Sequence, residues 1–212
     1  MNAPLLVDGP DAVRKEYSIV HNEYNTKIPI SHVYKQTLLS RFNFMKSYKT
    51  KVVENKYNSG RTSKDVYLLS RDDIRNYLSK SYKFLHIGLV QFSITHTSYN
   101  QESFPLSVCL IDSKHQSIEE SILVSINTDL HLDALEFNWF PNFSSSLSDL
   151  TNSNGLVVTI NSSSSENFKF DYKVYYKLMK KSLKPGYLFK NPIIEVNTKN
   201  VHVVIPTSDS QT

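Results

Sequence analysis

The sequence predicts a mainly β fold, an antiparallel jelly-roll-like sandwich of about eight strands with one or two helices flanking it on the N-terminal side. Three observations carry this reading. The run FLHIGLVQFSIT at residues 84–95 is apolar on both alternating faces apart from His86 and Gln91, as befits a strand inside a sheet and covered on both sides. Beyond it the helical period fades, and short apolar runs return between polar loops at 105–111, 121–127, 135–140, 156–161, 168–179, 192–196 and 201–206, which with 84–95 make eight. The chain also holds 13 Tyr and 11 Phe but only 5 Gly, a composition suited to strands.

Residues 1–26 mix Pro, Asp and Asn with little periodicity and are expected to form a flexible N-terminal arm that packs by Ile19 and Val20. From Ser31, an N-cap residue type, Val33, Tyr34, Leu38, Phe42 and Met45 recur at spacings of mostly three and four, the pattern of an amphipathic helix with Lys35, Arg41, Lys46 and Lys49 on its other face. Lys51 to Lys64 continues the positive charge as a basic arm with a turn at Asn58-Ser59-Gly60. Residues 65–69 read as a short strand. Ser70 followed by Asp73 resembles a capping box that opens a helix through Arg75, Tyr77 and Leu78. In the run 168–179, Asp171, Lys173, Tyr175 and Lys177 alternate with Phe170, Tyr172, Val174 and Tyr176, which predicts a strand whose open face is basic and aromatic. The boundaries expected are therefore an arm at 1–26, a basic helix and arm at 27–64, a sandwich at 65–206 and a disordered tail at 207–212.

The net charge is +4, but it is unevenly spread. Residues 27–64 hold nine Lys/Arg against one acid, 96–165 one Lys against eight acids, and 166–199 eight Lys against three acids. A polyanion can find a site on such a chain despite the modest total. The single Cys109 forms no internal disulfide and fits a reducing compartment. No stretch has the order of a signal peptide or the length of a membrane span, so membrane contact is expected to be peripheral only.

Enzyme chemistry has little support. One Cys and seven scattered His offer no metal-ligand pair, and no cofactor is expected, since phosphate-cradling GxxxxGK[ST] and dinucleotide GxGxxG motifs are missing, as is the GxSxG elbow. No catalytic residue is assigned. His86 reads first as a core histidine with both nitrogens hydrogen-bonded, Asp112 as a carboxylate capping the turn after its strand, and Trp139, Phe140 and Pro141 as core packing followed by a forced turn. A hydrolase would require His86 to meet Asp112 and a Ser across strands.

Taken in order, LHIGLVQ at 85–91, CLIDSKH at 109–115, EESIL at 119–123, FNWFPNFSSSLSD at 137–149 and VYYKLMKKSL at 174–183 resemble the block pattern of plant-virus cell-to-cell movement proteins. The family is the thirty-kilodalton superfamily, in the versions found in plant pararetroviruses, and the likeness spans about residues 65–184. Its Leu-x-Asp signature falls on Leu110 and Asp112 and its later Gly on Gly155; His86, Gly88 and Pro141 lie within the other blocks. The resemblance implies a jelly-roll sandwich, sequence-independent binding of viral RNA or DNA, self-association into an oligomer or tubule, and host plasmodesmal proteins and coat protein or virion as partners. It also implies action at the host plasmodesma and in the cytoplasm.

From the residues, the nucleic-acid site is expected on the open face of the Lys173, Tyr175, Lys177 strand with Lys180, Lys181 and Lys184, aided by Lys46, Lys49, Lys51 and Arg61. Lysines and arginine would neutralise phosphates there while tyrosine rings stack on bases. A jelly-roll subunit of a capsid-like shell is the competing reading, because it shares the fold and the basic arm.

Overall fold

The computed structural model describes residues 18–21, 27–35, 48–59, 63–96, 103–115, 117, 121–130, 134–152, 155–163, 168–181, 185–189, 191–197 and 201–204. The elements are β1 (Ser18–His21), a 3-10 turn (Ile30–His32), β2 (Tyr48–Ser59), β3 (Ser63–Tyr67), α1 (Arg71–Ser79), β4 (Phe84–His96), β5 (Pro105–Asp112), β6 (Ile122–Asp129), β7 (Leu135–Phe140), β8 (Phe143–Ser146), α2 (Leu147–Asn152), β9 (Leu156–Ser162), β10 (Phe168–Met179), β11 (Ile193–Val196) and β12 (Val201–Val204). One sheet runs β1-β11-β7-β4-β10-β2, with β8 also pairing β4, and the other runs β12-β6-β5-β9-β3. Every pairing of these strands is antiparallel except β1 with β11.

Within those sheets lie the blocks β2-β10-β4-β7 and β3-β9-β5-β6. The chain starts in one sheet at β2, crosses to β3, returns to β4, crosses to β5 and β6, and comes back at β7 before β9 and β10 slot between earlier strands. That double winding of eight strands in two facing sheets is a jelly roll. All eight apolar runs expected from the sequence are strands, but they are not the eight wound strands. β11 and β12 extend the two sheets, while β2 and β3 complete the roll.

The core lies between the sheets. Leu85, Ile87, Val90, Phe92 and Ile94 of β4 pack there with Phe137, Trp139, Phe170, Tyr172, Val174 and Tyr176 from the same sheet and Leu106, Val108, Leu110, Val124, Ile126, Val158 and Ile160 from the other. The β4 set changes parity midway. Strict alternation puts Leu85 and Ile87 opposite Val90, Phe92 and Ile94, yet all five face the core. The ladder with β10 slips at this point, Tyr175 pairing Leu89 and Tyr176 pairing Ile87, which leaves Gly88 as the extra residue of a bulge.

Two expectations for residues 27–64 are corrected. The expected helix from Ser31 is a 3-10 turn followed by an isolated bridge between Tyr34 and Tyr187; residues 36–47, including Lys46, lie outside the described residues. Val33 and Tyr34 do form an apolar contact surface, but they find their partners, Leu89, Phe140 and Tyr175, on the outer face of the first sheet, and tertiary contact overrides helical spacing. The expected basic arm is β2 and the first two residues of β3, whose other residues belong to the short strand expected from Asp65, and β2 is hydrogen-bonded along all of β10 from Phe168 opposite Ser59 to Met179 opposite Tyr48. Likewise Ile19 and Val20 of the expected arm lie in β1, in register with Ile194 and Glu195. The rest of that arm and the expected tail at 207–212 lie outside the described residues.

The helix opening at Ser70 is borne out. The Ser70 hydroxyl accepts from the backbone N–H of Asp73 at 3.0 Å and donates to its carboxylate at 2.7 Å, so one of the orphan donors of the first turn is satisfied. Ser70→Ala is expected to lower stability by about 1 kcal/mol in urea denaturation.

Candidate nucleic-acid interface

The sequence-predicted basic residues divide among three places. Lys46, Arg61 and Lys184 lie outside the described residues. Lys173 stands on β10 opposite Glu54 in β2, two residues from Asp171, which stands opposite Lys56; this part of the ladder therefore mixes charges. Tyr175 and Lys177, expected on the same open face, are each only 5% exposed. They are covered by a strap that the sequence did not reveal, made of residues 27–35 and 185–189. The strap halves join through the Tyr34–Tyr187 bridge, Lys35 N–H to the Gly186 carbonyl at 2.8 Å and Leu188 N–H to the Val33 carbonyl at 3.2 Å.

The third place is one end of the first sheet, where β10 finishes and β2 and β4 begin. Lys49 and Lys51 stand opposite Leu178 and Tyr176 there. The Lys51 ammonium donates to the Tyr77 hydroxyl at 2.7 Å and sits 4.4 Å from that ring's centroid, while Tyr77 shares a 2.7 Å hydrogen bond with Tyr176. Burial and that neighbouring hydroxyl push the Tyr176 phenol far up, so it stays neutral. Lys180 follows the last residue of β10 and lies 5.4 Å from the Tyr82 ring centroid. Lys83 donates its N–H to the Met179 carbonyl at 2.9 Å, which brings the α1–β4 turn beside Lys180 and Lys181.

Lys80 belongs to that same turn. Lys80, Lys83 and Lys181 are exposed, and Lys180 and Tyr82 are half-buried. Lys80 and Lys83 were missed from sequence because they fall between the two segments whose charge excess stood out. Their signal is the tetrapeptide KSYK at 80–83, the same residues as at 46–49. Nearby α1 carries Asp72, paired with Arg75 at 3.6 Å, and Asp73, which accepts from Tyr77 at 3.4 Å. Four lysines around a half-open tyrosine ring can neutralise phosphates and offer one stacking face.

Under the strap lies a different kind of site. The Tyr34 hydroxyl is 3.0 Å from both Nδ1 and the carbonyl oxygen of His86, and His86 Nε2 is 3.1 Å from Asn142 Oδ1. These distances suit a neutral ring whose Nε2–H donates to Asn142 and whose Nδ1 accepts from Tyr34. Burial holds His86 down at about 4, against a smaller upward effect of the Asn142 bond and with a further downward push from Lys177. Burial also lowers Lys177, whose ammonium donates to the Pro185 carbonyl at 2.6 Å and lies 5.5 Å from the Tyr34 ring centroid. The phenols of Tyr34 and Tyr187 are raised by the same burial. Tyr187 donates to the Gly88 carbonyl at 2.7 Å. Beside this cluster, Tyr175 donates to Gln91, Gln91 to Asn138 and Asn138 to Glu195, at 3.1, 2.9 and 3.1 Å.

The remaining family-motif residues have structural places. Asp112 ends β5 and its carboxylate accepts from Lys114 N–H at 3.1 Å, the turn cap expected for it. The next residue, Ser113, donates through both N–H and hydroxyl to the Gly155 carbonyl at 3.0 and 2.8 Å, and Gly155 has φ +69°, a left-handed conformation that suits glycine. Leu110 packs in the core, and Pro141 is buried before Asn142 turns the chain with φ +48°. His86 and Asp112 stand in different sheets with separate partners, so they form no hydrolytic pair. Among the described residues no three His, Cys, Asp or Glu side chains are grouped to hold a metal ion, and no helix is long and apolar enough to cross a membrane.

No curated protein matches the sequence. Among solved structures the chain is similar to one in the three-dimensional structure of Cocksfoot mottle virus, at 9% identity and TM-score 0.44 over 86% of this chain and 98% of that one. It is similar to one in the Nora virus structure, at 9% identity and TM-score 0.37 over 67% and 59% of the two chains. A third likeness is to the native virion of Kashmir bee virus at acidic pH, at 13% identity and TM-score 0.33 over 97% and 86%. The family model for viral movement protein matches residues 15–203, and the chain belongs to the viral movement protein family.

Proposed function

We propose that this movement protein carries viral nucleic acid from cell to cell by binding it, without sequence preference, at the basic end of the first sheet. The observation that carries the reading is the meeting of Lys80, Lys83, Lys180 and Lys181 around Tyr82, with Lys51 beside Tyr77. Lysines at a strand end supply charge without base readout, so RNA and DNA are both accepted. Action at plasmodesmata, self-association into an oligomer or tubule, and contacts with coat protein or virion and host plasmodesmal proteins complete the reading; membership of the family supports them. The five sequence blocks between residues 85 and 183, taken in order, lead us to group the chain with the pararetrovirus versions.

Lys83→Ala with Lys180→Ala and Lys181→Ala tests the site on single-stranded oligonucleotides. Loss of three phosphate contacts should reduce the slope of log affinity against log salt by about 2, with affinity falling at every salt concentration. An unchanged slope removes this end from the mechanism. The jelly-roll winding keeps a shell-forming subunit as the second reading, and a fluorescent fusion in leaf cells separates the two: plasmodesmal spots or tubules for transport, closed particles for a shell.

A further inference from the structure

We propose that the strap of residues 27–35 and 185–189 is a releasable cover over a second phosphate-binding row on β10, formed by Lys173, Tyr175 and Lys177. The identity of the ligand rests on the nucleic-acid reading above; the release of the cover does not.

Exposure falls steadily along the outer face of β10. Lys169 and Asp171 are exposed, Lys173 is half-buried, and Tyr175 and Lys177 are 5% exposed. The change comes where the strap begins, so a continuous row of side chains is open at one end and closed at the other. Asp171 is the acid within this row.

Polar contacts tie it down at three points. Tyr34 meets His86, Tyr187 donates to the Gly88 carbonyl, and Lys177 donates to the Pro185 carbonyl. Apolar packing beside these ties joins Val33, Tyr34, Leu89, Phe140 and Tyr175, with Ile28, Ile30, Tyr187, Phe189 and Ile193 against them, a satellite cluster apart from the main core. Polar contacts are exchanged for water when a cover lifts, so they resist opening far less than an apolar core of the same area. The imidazole and ammonium beneath also regain hydration on opening, which favours release.

Gly88 is fitted to the closed cover. A Cβ there would lie 2.6 Å from the Tyr34 hydroxyl oxygen and 2.7 Å from both Tyr34 Cζ and Val33 Cγ1. These atoms belong to the strap, so a methyl group at Gly88 works against the cover more directly than against the sheet.

The test uses the full chain, with limited lysine acetylation read by mass spectrometry and binding of a mixed-sequence single-stranded oligonucleotide read by anisotropy. In the unaltered protein Lys177 should label at least tenfold more slowly than Lys83. Gly88→Ala should raise Lys177 labelling and oligonucleotide affinity several-fold, and adding Lys177→Gln should remove the gain in affinity. Tyr187→Phe, which deletes one tie and adds no bulk, should act in the same direction and carries the test if Gly88→Ala does not fold. Unchanged Lys177 labelling in both variants, or labelling already as fast as that of Lys83 without them, overturns the cover. Faster labelling without tighter binding overturns the phosphate-binding row and leaves the basic end, tested separately through Lys83, Lys180 and Lys181, untouched.

Discussion

Phe92→Ala is expected to reduce the free energy of unfolding by about 3–5 kcal/mol, a large share of what holds a domain of this size folded. Phe92 is fully buried at the middle of β4. Its ring stacks against Phe137 at 5.5 Å, Tyr172 at 5.7 Å and Phe170 at 5.9 Å between centroids, with interplanar angles of 7°, 10° and 11°. Three aromatic rings from two neighbouring strands therefore depend on one side chain. Truncation loses the buried area and leaves a cavity, because rings held by separate strands cannot close together over the gap. Phe92→Leu, which keeps most of the volume, should cost much less. Urea denaturation of both variants checks this; a loss below about 1 kcal/mol for Phe92→Ala would mean the β4 aromatic stack is not central to the core.

Strand content was open to sequence reading because it depends on local apolar pattern, and β4 shows both the strength and the limit of that pattern. Apolar residues on both faces correctly place it inside a sheet with cover above and below. Alternation alone assigns Val90, Phe92 and Ile94 to the wrong face, since one extra residue at the bulge reverses every side chain after it. The glycine at that point was the available signal. β2 was missed for a different reason: its Lys-rich run has no apolar stripe, and its hydrogen-bond partner β10 lies more than a hundred residues later. Its strand character comes from that partner.

The strap was hidden in the same way. Val33 and Tyr34 have helical spacing with Leu38, yet their contacts are made with Leu89 and Tyr175, far along the chain. The alternation that marks Lys173, Tyr175 and Lys177 as one row holds true in β10; what a single strand's pattern cannot encode is another segment lying across it. At the basic end the sequence supplied Lys180 and Lys181, and only the pairing of Lys83 with Met179 adds the turn that brings Lys80 and Lys83 to them.

Acidification should loosen the strap, and His86 should be the group responsible. Its closed-state value of about 4 is below the ordinary 6.5. The neutral ring is thus favoured in the closed fold, and its contribution is fully present above about pH 6.5 and lost progressively as pH falls towards 4. The size of that change is about 3 kcal/mol at the low end of the window. The surroundings explain the direction. Tyr34 and Tyr187 from the strap stay neutral throughout, Asn142 from the β7–β8 turn accepts from Nε2, and Lys177 from β10 presents a positive charge. Protonation would also turn Nδ1 into a donor to the Tyr34 hydroxyl, whose own proton then goes to the His86 carbonyl alone, so the cost of charging the ring comes from burial and Lys177 rather than from a lost hydrogen bond. His86→Gln cannot titrate, so its stability should change less than that of the unaltered protein between pH 7.5 and 4.5, the exposed carboxylates contributing equally to both. Urea midpoints across that range provide the comparison, with Lys177 acetylation as a local readout where the amine remains reactive. Parallel pH profiles for the two proteins would remove His86 as the source of acid sensitivity and leave the strap held by its remaining hydrogen bonds alone.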